Sequence, residues 1–159
     1  MRSINEVASG ELVWVSTGQE LSFELRAGEE VVGRLQLDAS QRGDSDTADQ
    51  RLTLKREGFL RPHVNIRVPG SQDNVGIFRT SWKKGGTLAT DAGRQFRLRV
   101  PTLLKWQWTW TDIREKPLVH LKDEGTVIIE PDAAALKEVP LLIVLGWYLL
   151  VVWAQDAEE

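Results

Sequence analysis

The chain has 159 residues, of which 27% are charged, a net charge of −3 and no cysteine. This length suits one domain with a core large enough to fold without cross-links. The missing cysteines exclude disulfide scaffolds, thiol catalysis and cysteine-based zinc sites. The first residues lack the apolar stretch of a secretory signal, so we expect a single cytoplasmic domain over residues 1–159.

The charges are unevenly distributed along the chain. Residues 1–50 carry 4 basic and 10 acidic side chains, whereas residues 51–122 carry 15 basic and 5 acidic ones. Residues 123–159 carry 1 basic and 8 acidic side chains. A basic middle segment between two acidic segments indicates either an anionic partner or pairing with the acidic segments.

Short segments in which apolar and polar residues alternate recur between residues 11 and 130. Together with the turn residues that separate them, they are typical of sequential antiparallel strands. The segments are 21–26, 31–37, 52–54, 64–68, 75–77, 96–100, 106–110, 119–121 and 127–129. Residues 40–50 are polar throughout and predict a loop. We expect a mostly β fold of about 11–12 strands.

The alternation stops near residue 130. Residues 131–139 predict a short linker, and the uncharged residues 140–154 predict a helix that begins at Pro140. This helix would be roughly 24 Å long, shorter than the roughly 30 Å of bilayer hydrocarbon, and acidic residues flank it. A helix that is apolar all round must be enclosed. We therefore expect a closed antiparallel β-barrel around it, with Gly146 where the wall comes close.

Two other arrangements of the apolar segment remain as alternatives. In the first, the strands form a sandwich and the helix caps one end, but a capping helix should carry a polar stripe, which residues 140–154 lack. In the second, residues 140–154 anchor the protein in a membrane. The length of the segment and the acidic residues beside it favour burial in protein over this anchor.

The order of elements resembles the Tubby-like, LURP-one-related and phospholipid-scramblase family. The resemblance is most specific from Glu130-Pro131 through Leu150, where a last strand leads through a short linker into the apolar helix. Residues 58–67 are similar to small bacterial members. The resemblance implies a twelve-stranded barrel around a C-terminal hydrophobic helix, and non-enzymatic binding of phosphoinositides or membrane surfaces. The acidic calcium-binding stretch and the Pro-rich and Cys-rich flanks of scramblases are missing, which speaks against lipid scrambling.

The basic middle segment supplies the candidate binding residues. Alternation places several of its basic residues on the outer face of the sheet, and others fall at turns or strand ends, where they could bind phosphate groups. The candidates are Arg61, Arg67, Arg79, Lys83, Lys84, Arg97, Arg99 and Lys105. Lys55, His120 and Lys122 are also predicted to face outward. The alternative is that these residues pair across strands with the acidic first segment, including Glu20, Glu24 and Glu30.

Three tryptophans alternate with polar residues over residues 106–110. Exposed indoles beside Lys105 would suit stacking on single-stranded nucleic acid. However, Trp106, Trp108 and Trp110 share one face of the predicted strand, and that face is more simply the core. We therefore expect all three indoles in the core and no nucleic-acid partner.

The remaining polar residues predict no catalytic or metal site. Asp44, Asp46 and Asp49 lack the glycine and the final glutamate of a calcium-binding loop. His63 and His120 show no zinc-ligand spacing, and phosphate-binding or nucleophile motifs are missing. The sequence thus predicts a non-enzymatic protein without metal or cofactor.

These observations favour a cytoplasmic binding module, peripheral to the membrane, that recognises anionic lipid headgroups or a phosphorylated ligand through its basic outer face. A structural or protein-interaction domain is the first alternative. A tail-anchored membrane protein is the second.

Overall fold

The computed structural model describes residues 1–58, 60–81 and 85–158. Within them the chain forms twelve strands and one α-helix. The strands are β1 Leu12–Ser16, β2 Ser22–Ala27, β3 Glu30–Leu37, β4 Gly43–Thr47, β5 Arg51–Glu57, β6 His63–Arg67, β7 Asn74–Thr80, β8 Gly86–Thr90, β9 Gln95–Arg99, β10 Trp108–Thr111, β11 Pro117–Leu121 and β12 Thr126–Ile129. The helix is α1, Val139–Ala157.

The strands form an up-and-down meander that closes on itself. Each strand pairs antiparallel with its neighbours in the chain, and β1 pairs with β12, where Leu12 lies opposite Val127. Closure leaves these strands without an unpaired edge that could template aggregation. The predicted closed antiparallel β-barrel is therefore confirmed.

α1 lies inside this barrel. Residues 139–153 are all buried, and the helix contacts walls on nearly opposite sides. A Cβ atom built on Gly43 of β4 would lie 2.9 Å from the Tyr148 ring, and one built on Gly146 would lie 3.0 Å from Leu121 of β11. The enclosed helix and the close approach at Gly146 are confirmed, and the helix continues three residues beyond the predicted end at residue 154.

Aromatic rings pack α1 against the wall between these points. Trp147 stacks on Trp14 with ring centroids 6.1 Å apart, and Trp153 lies 5.2 Å from Trp108. By length and composition α1 could cross a membrane, yet 78% of its most apolar window is buried. The apolar surface that a membrane anchor would present to lipid is thus covered by the barrel.

The two ends of the barrel differ. At the end where α1 begins, a 3₁₀ helix over Ile4–Val7 packs against it, and the Asn5 amide donates to the carbonyl oxygens of Ala134 and Leu136 at 2.7 and 3.0 Å. We call this the closed end. At the other end, the exit end, the C-terminus of α1 emerges among the loops β1–β2, β3–β4, β5–β6, β7–β8, β9–β10 and β11–β12.

Two local predictions are wrong. The predicted polar loop at 40–50 contains β4, whose buried inward residues are small or polar (Gly43, Ser45 and Thr47) because the ring of Tyr148 comes close to this wall. The strand predicted from residue 106 begins at Trp108, and Trp106 is exposed in the preceding loop. The three indoles therefore do not share a core face.

Candidate functional site

In the described part of the chain, two clefts lie beside the C-terminal end of α1. The first, the basic cleft, has a volume of about 1070 Å³ and is bordered by Arg56, Arg61, His63 and Arg79. The second, the aromatic cleft, has a volume of about 690 Å³ and lies on the other side of Trp153, which lines both. Both volumes fall in the range of small-molecule sites.

Arg56 ties the end of α1 to the barrel wall. Its guanidinium donates to both carboxylate oxygens of Asp156, at 2.6 and 2.8 Å, and to the Gln41 amide oxygen at 2.6 Å. A two-point pair of this kind fixes orientation as well as charge. Arg56 lies on the inward face of β5 with Leu52 and Leu54. The alternation therefore held the signal for Arg56, which the sequence analysis missed.

Arg61 and Arg79 are brought together with His63 at the basic cleft. Arg79 lies opposite His63 in the pairing of β6 with β7, and Arg61 follows the end of β5. Both arginine side chains are exposed, and within the described residues neither forms an ion pair. Two guanidinium groups beside one cleft can bind a phosphate group.

Arg97 and Arg99 extend from this site along the outer face. Arg97 of β9 lies in the same cross-strand row as Arg79 of β7, with Thr87 of β8 between them. Strands β7 and β9 are therefore roughly 10 Å apart. Arg99 is already paired with Glu115 at 2.6 Å. Arg97 therefore lies on the outer face beside the basic cleft without lining it, and no ion pair within the described residues involves it.

The other predicted residues lie elsewhere. Arg67 is at the closed end, where its Nε donates to Asn74 at 2.8 Å. Lys105 is exposed in the β9–β10 loop at the exit end. Lys83 and Lys84 lie outside the described residues. The six candidates within the described ranges therefore do not form one patch, and of these six Arg61 and Arg79 line the cleft.

The acidic partners also differ from those predicted. Glu24 pairs with Arg26 and Arg34, and Glu30 pairs with Arg2, so these acids are used within the first segment. The middle segment pairs instead with later acids: Arg56 with Asp156, Arg94 with Glu138 and Lys116 with Asp132. Within the described residues, these three ion pairs of the middle segment are made with acids that follow it in the chain.

His120 is on the outer face, as predicted, but it is buried and fully engaged. Its Nε2 lies 2.9 Å from Glu130 Oε1, and its Nδ1 lies 2.9 Å from Thr109 Oγ1 and 3.1 Å from Gln107 Nε2. This cluster holds β10, β11 and the end of β12 together. The arrangement leaves His120 unable to meet a phosphate group, so it is not part of the candidate site.

The exit end also exposes large apolar side chains. The four most exposed ones in the described parts of the chain are Leu60, Leu103, Leu104 and Trp106, with 88%, 88%, 93% and 78% of their surface accessible. They belong to the β5–β6 and β9–β10 loops, which both lie at the exit end. Three of them, Leu103, Leu104 and Trp106, share one loop, and exposed apolar side chains grouped in this way are typical of an interaction site.

Tyr148, the single tyrosine of the chain, supports the wall of the basic cleft. Its hydroxyl donates to the Gln41 carbonyl oxygen at 2.5 Å and accepts from the Arg56 backbone N–H at 3.2 Å. Burial raises the pKa of Tyr148 to about 12, although the hydrogen bond from Arg56 opposes the rise. In the folded protein the phenol therefore stays protonated up to a higher pH than an unperturbed tyrosine.

A pH titration should show this directly. We expect tyrosinate absorbance of the native protein to rise with a midpoint near 12, against 10.0 for an unperturbed phenol. Since the folded pKa is the higher one, the contribution of Tyr148 to the free energy of unfolding is complete below pH 10.0 and is lost as the pH rises through about 12. Tyr148→Phe is the control without signal, and a native midpoint near 10.0 would contradict the buried phenol.

Comparison with protein-family models, with curated proteins and with solved structures finds no match for this chain.

Proposed function

We propose that the protein is a non-enzymatic peripheral membrane-binding module that docks its exit end onto a bilayer containing anionic lipids. The observation that carries the proposal is the coincidence of two features at one end of the barrel. The basic cleft with Arg61 and Arg79 lies at the same end as the exposed Leu60, Leu103, Leu104 and Trp106.

The apolar loops supply one part of the binding free energy. Full burial of a leucine side chain contributes about 1.5–3 kcal/mol, and three exposed leucines lie on these loops. Tryptophan favours the interface between headgroups and hydrocarbon, which suits Trp106 beside Lys105. Loops at one end of a rigid barrel can enter this layer without any change in the fold.

The basic cleft supplies the second part and the preference for anionic lipid. Each basic side chain near an anionic surface contributes about 1 kcal/mol, and Arg61, Arg79 and Lys105 are exposed at the exit end. In this arrangement a lipid phosphate enters the cleft between Arg61 and Arg79, and Leu60, which lines the same cleft, contacts acyl chains. The enclosed C-terminal helix is the architecture that the Tubby-like resemblance implies, and membership of that family stays a prediction.

Vesicle flotation tests the proposal. We expect the wild-type chain to float with vesicles of phosphatidylcholine and phosphatidylserine, and to float less with phosphatidylcholine alone. Arg61→Glu/Arg79→Glu should lower the bound fraction on anionic vesicles by at least about tenfold, because two attractive charges become repulsive. Leu103→Asp/Leu104→Asp should weaken binding to both vesicle types.

The matched control is Arg51→Glu/Arg114→Glu, which changes the charge by the same amount at exposed positions of the closed end. This variant should float like the wild type. If Arg51→Glu/Arg114→Glu lost as much binding to anionic vesicles as Arg61→Glu/Arg79→Glu, net charge alone would attract the protein to the membrane. No flotation of the wild type on any vesicle would exclude the membrane, and the exposed leucines would then indicate a protein partner, the first alternative above.

A further inference from the structure

The aromatic cleft has a chemistry opposite to that of the basic cleft. Its walls include four aromatic rings, those of Phe23, Trp108, Trp147 and Trp153. Phe23 meets Trp147 edge to face at 5.6 Å, and Trp108 lies 5.2 Å from Trp153 with the ring planes inclined by 31°. These contacts hold the rings in place, so the cleft keeps its aromatic lining without a ligand.

The rim of this cleft is acidic. Glu20, Asp123 and Glu158 border it and are exposed, and within the described residues none of the three forms an ion pair. Asp123 is held in place by the Trp108 indole, which donates to it at 3.3 Å. The negative rim therefore lies directly beside an aromatic wall.

The C-terminus of α1 adds to the negative potential. Ala154, Gln155 and Glu158 of its last turns line the cleft. Carbonyl groups at the end of a helix lack partners within the helix and carry the negative end of its dipole. Rings, carboxylates and carbonyl groups all favour a positive charge, whereas none of them binds an anion.

We propose that the aromatic cleft is a binding site for a small organic cation of the trimethylammonium type. Aromatic faces, those of tryptophan above all, attract cations, and recognition of quaternary ammonium groups by aromatic walls is an established use of this interaction. The volume of about 690 Å³ accommodates a headgroup-sized molecule. A quaternary ammonium group needs no hydrogen-bond acceptor, so it matches a lining that is mainly rings and aliphatic side chains, with Leu21 and Leu150 among them.

The inference is independent of the membrane proposal, since it concerns a different cleft and a different charge. The same cation could reach the cleft as a free molecule or as the choline headgroup of a lipid, because the exit end is the end proposed to face the bilayer. Both sources offer the same trimethylammonium group.

Titration calorimetry of the full chain with choline, in the absence of lipid, is the first test. The probe that isolates charge is 3,3-dimethyl-1-butanol, the neutral molecule of nearly the same shape. We expect choline to bind at least about tenfold more tightly than the neutral molecule, because only the charged group interacts with the ring faces and the rim. Equal binding of the two would overturn the proposal.

Variants locate the site. Glu20→Gln/Asp123→Asn removes two charges and keeps an oxygen that can accept from Trp108, so we expect choline binding to weaken by about tenfold. The matched control, Glu29→Gln/Asp91→Asn, makes the same change at exposed closed-end positions and should bind choline like the wild type. Unchanged binding in the first variant, or equal loss in both, would overturn the proposal.

Flotation on vesicles distinguishes a lipid headgroup from free choline as the source of the cation. If the cleft takes lipid headgroups, Glu20→Gln/Asp123→Asn should reduce flotation on phosphatidylcholine vesicles but not on phosphatidylglycerol vesicles. If it takes free choline, the variant should float like the wild type on both while losing choline binding in calorimetry. Either result supports the cation site. The proposal is contradicted if the wild-type chain binds no choline in calorimetry and Glu20→Gln/Asp123→Asn leaves flotation on phosphatidylcholine vesicles unchanged.

Discussion

Lysine in place of Leu145 should prevent the barrel from folding. Leu145 is fully buried near the middle of α1, and the barrel surrounds the helix on all sides, so the long lysine side chain has no short route to water. An unpaired charge in such a site costs several kcal/mol. Most domains are stable by only about 5–15 kcal/mol. We expect an insoluble product, or a chain without the near-ultraviolet circular dichroism of packed tryptophans.

Ala154→Lys is the matched control on the same helix. Ala154 is exposed where α1 leaves the barrel, and a positive charge near a helix C-terminus is mildly stabilising. This variant should fold and unfold in urea like the wild type. A soluble Leu145→Lys protein with native near-ultraviolet circular dichroism would show that the wall does not enclose the helix. The alternative in which residues 140–154 lie outside the barrel and anchor the protein in a membrane would then be favoured.

Alanine at Gly43 should destabilise the barrel, although alanine ordinarily improves a strand. Replacing a strand glycine gains about 0.5–1 kcal/mol because glycine loses more conformational freedom on folding. At Gly43 the new Cβ atom would lie 2.9 Å from Cδ1 and 3.0 Å from Cε1 of the Tyr148 ring. That ring cannot move aside easily, since its hydroxyl is hydrogen-bonded to Gln41 and Arg56. Overpacking of this kind costs about 1–3 kcal/mol, so the clash outweighs the gain.

Gly33 offers the comparison in the adjacent strand. A Cβ atom there would lie 3.5 Å from Leu25 and 3.6 Å from Thr47, which is ordinary contact. We expect Gly33→Ala to raise the midpoint of urea unfolding slightly and Gly43→Ala to lower it. The idea that Tyr148 is pressed against β4 fails if the two variants shift the midpoint in the same direction.

The fold could be predicted from two sequence patterns, the alternation of apolar and polar residues in the strands and the uninterrupted apolar segment at residues 140–154. The alternation identified most strands of the wall. Residues 140–154 lack a polar stripe, which predicted that the helix is enclosed. The prediction failed at β4, where alternation of apolar and polar residues is absent. The Tyr148 ring lies against this wall, so the inward positions hold Gly43, Ser45 and Thr47 instead of large apolar residues. A strand whose inward residues are small, to make room for a large side chain of the helix, does not show the alternation of apolar and polar residues.

The site was harder to predict because alternation assigns a residue to a face but not to an end of the barrel. Position at turns or strand ends singled out Arg61 and Arg79, which lie beside one cleft, whereas alternation selected Arg67, which is at the closed end. The placement of Leu60 at the same end of the barrel as Leu103 and Leu104 depends on the number and direction of the strands between their loops. That information appears only once the barrel is closed.

The position of α1 in the chain has a consequence for biosynthesis. A ribosome makes all twelve strands before the helix that fills them, so the wall of the barrel is synthesised ahead of its core. The barrel cannot enclose α1 until Val139–Ala157 has been made, and until then the inner face of the meander is exposed. Such long-range closure is slow compared with local pairing, and a half-built apolar sheet is prone to aggregation. The apolar inner face of the wall is therefore open to aggregation for as long as α1 is not yet in place.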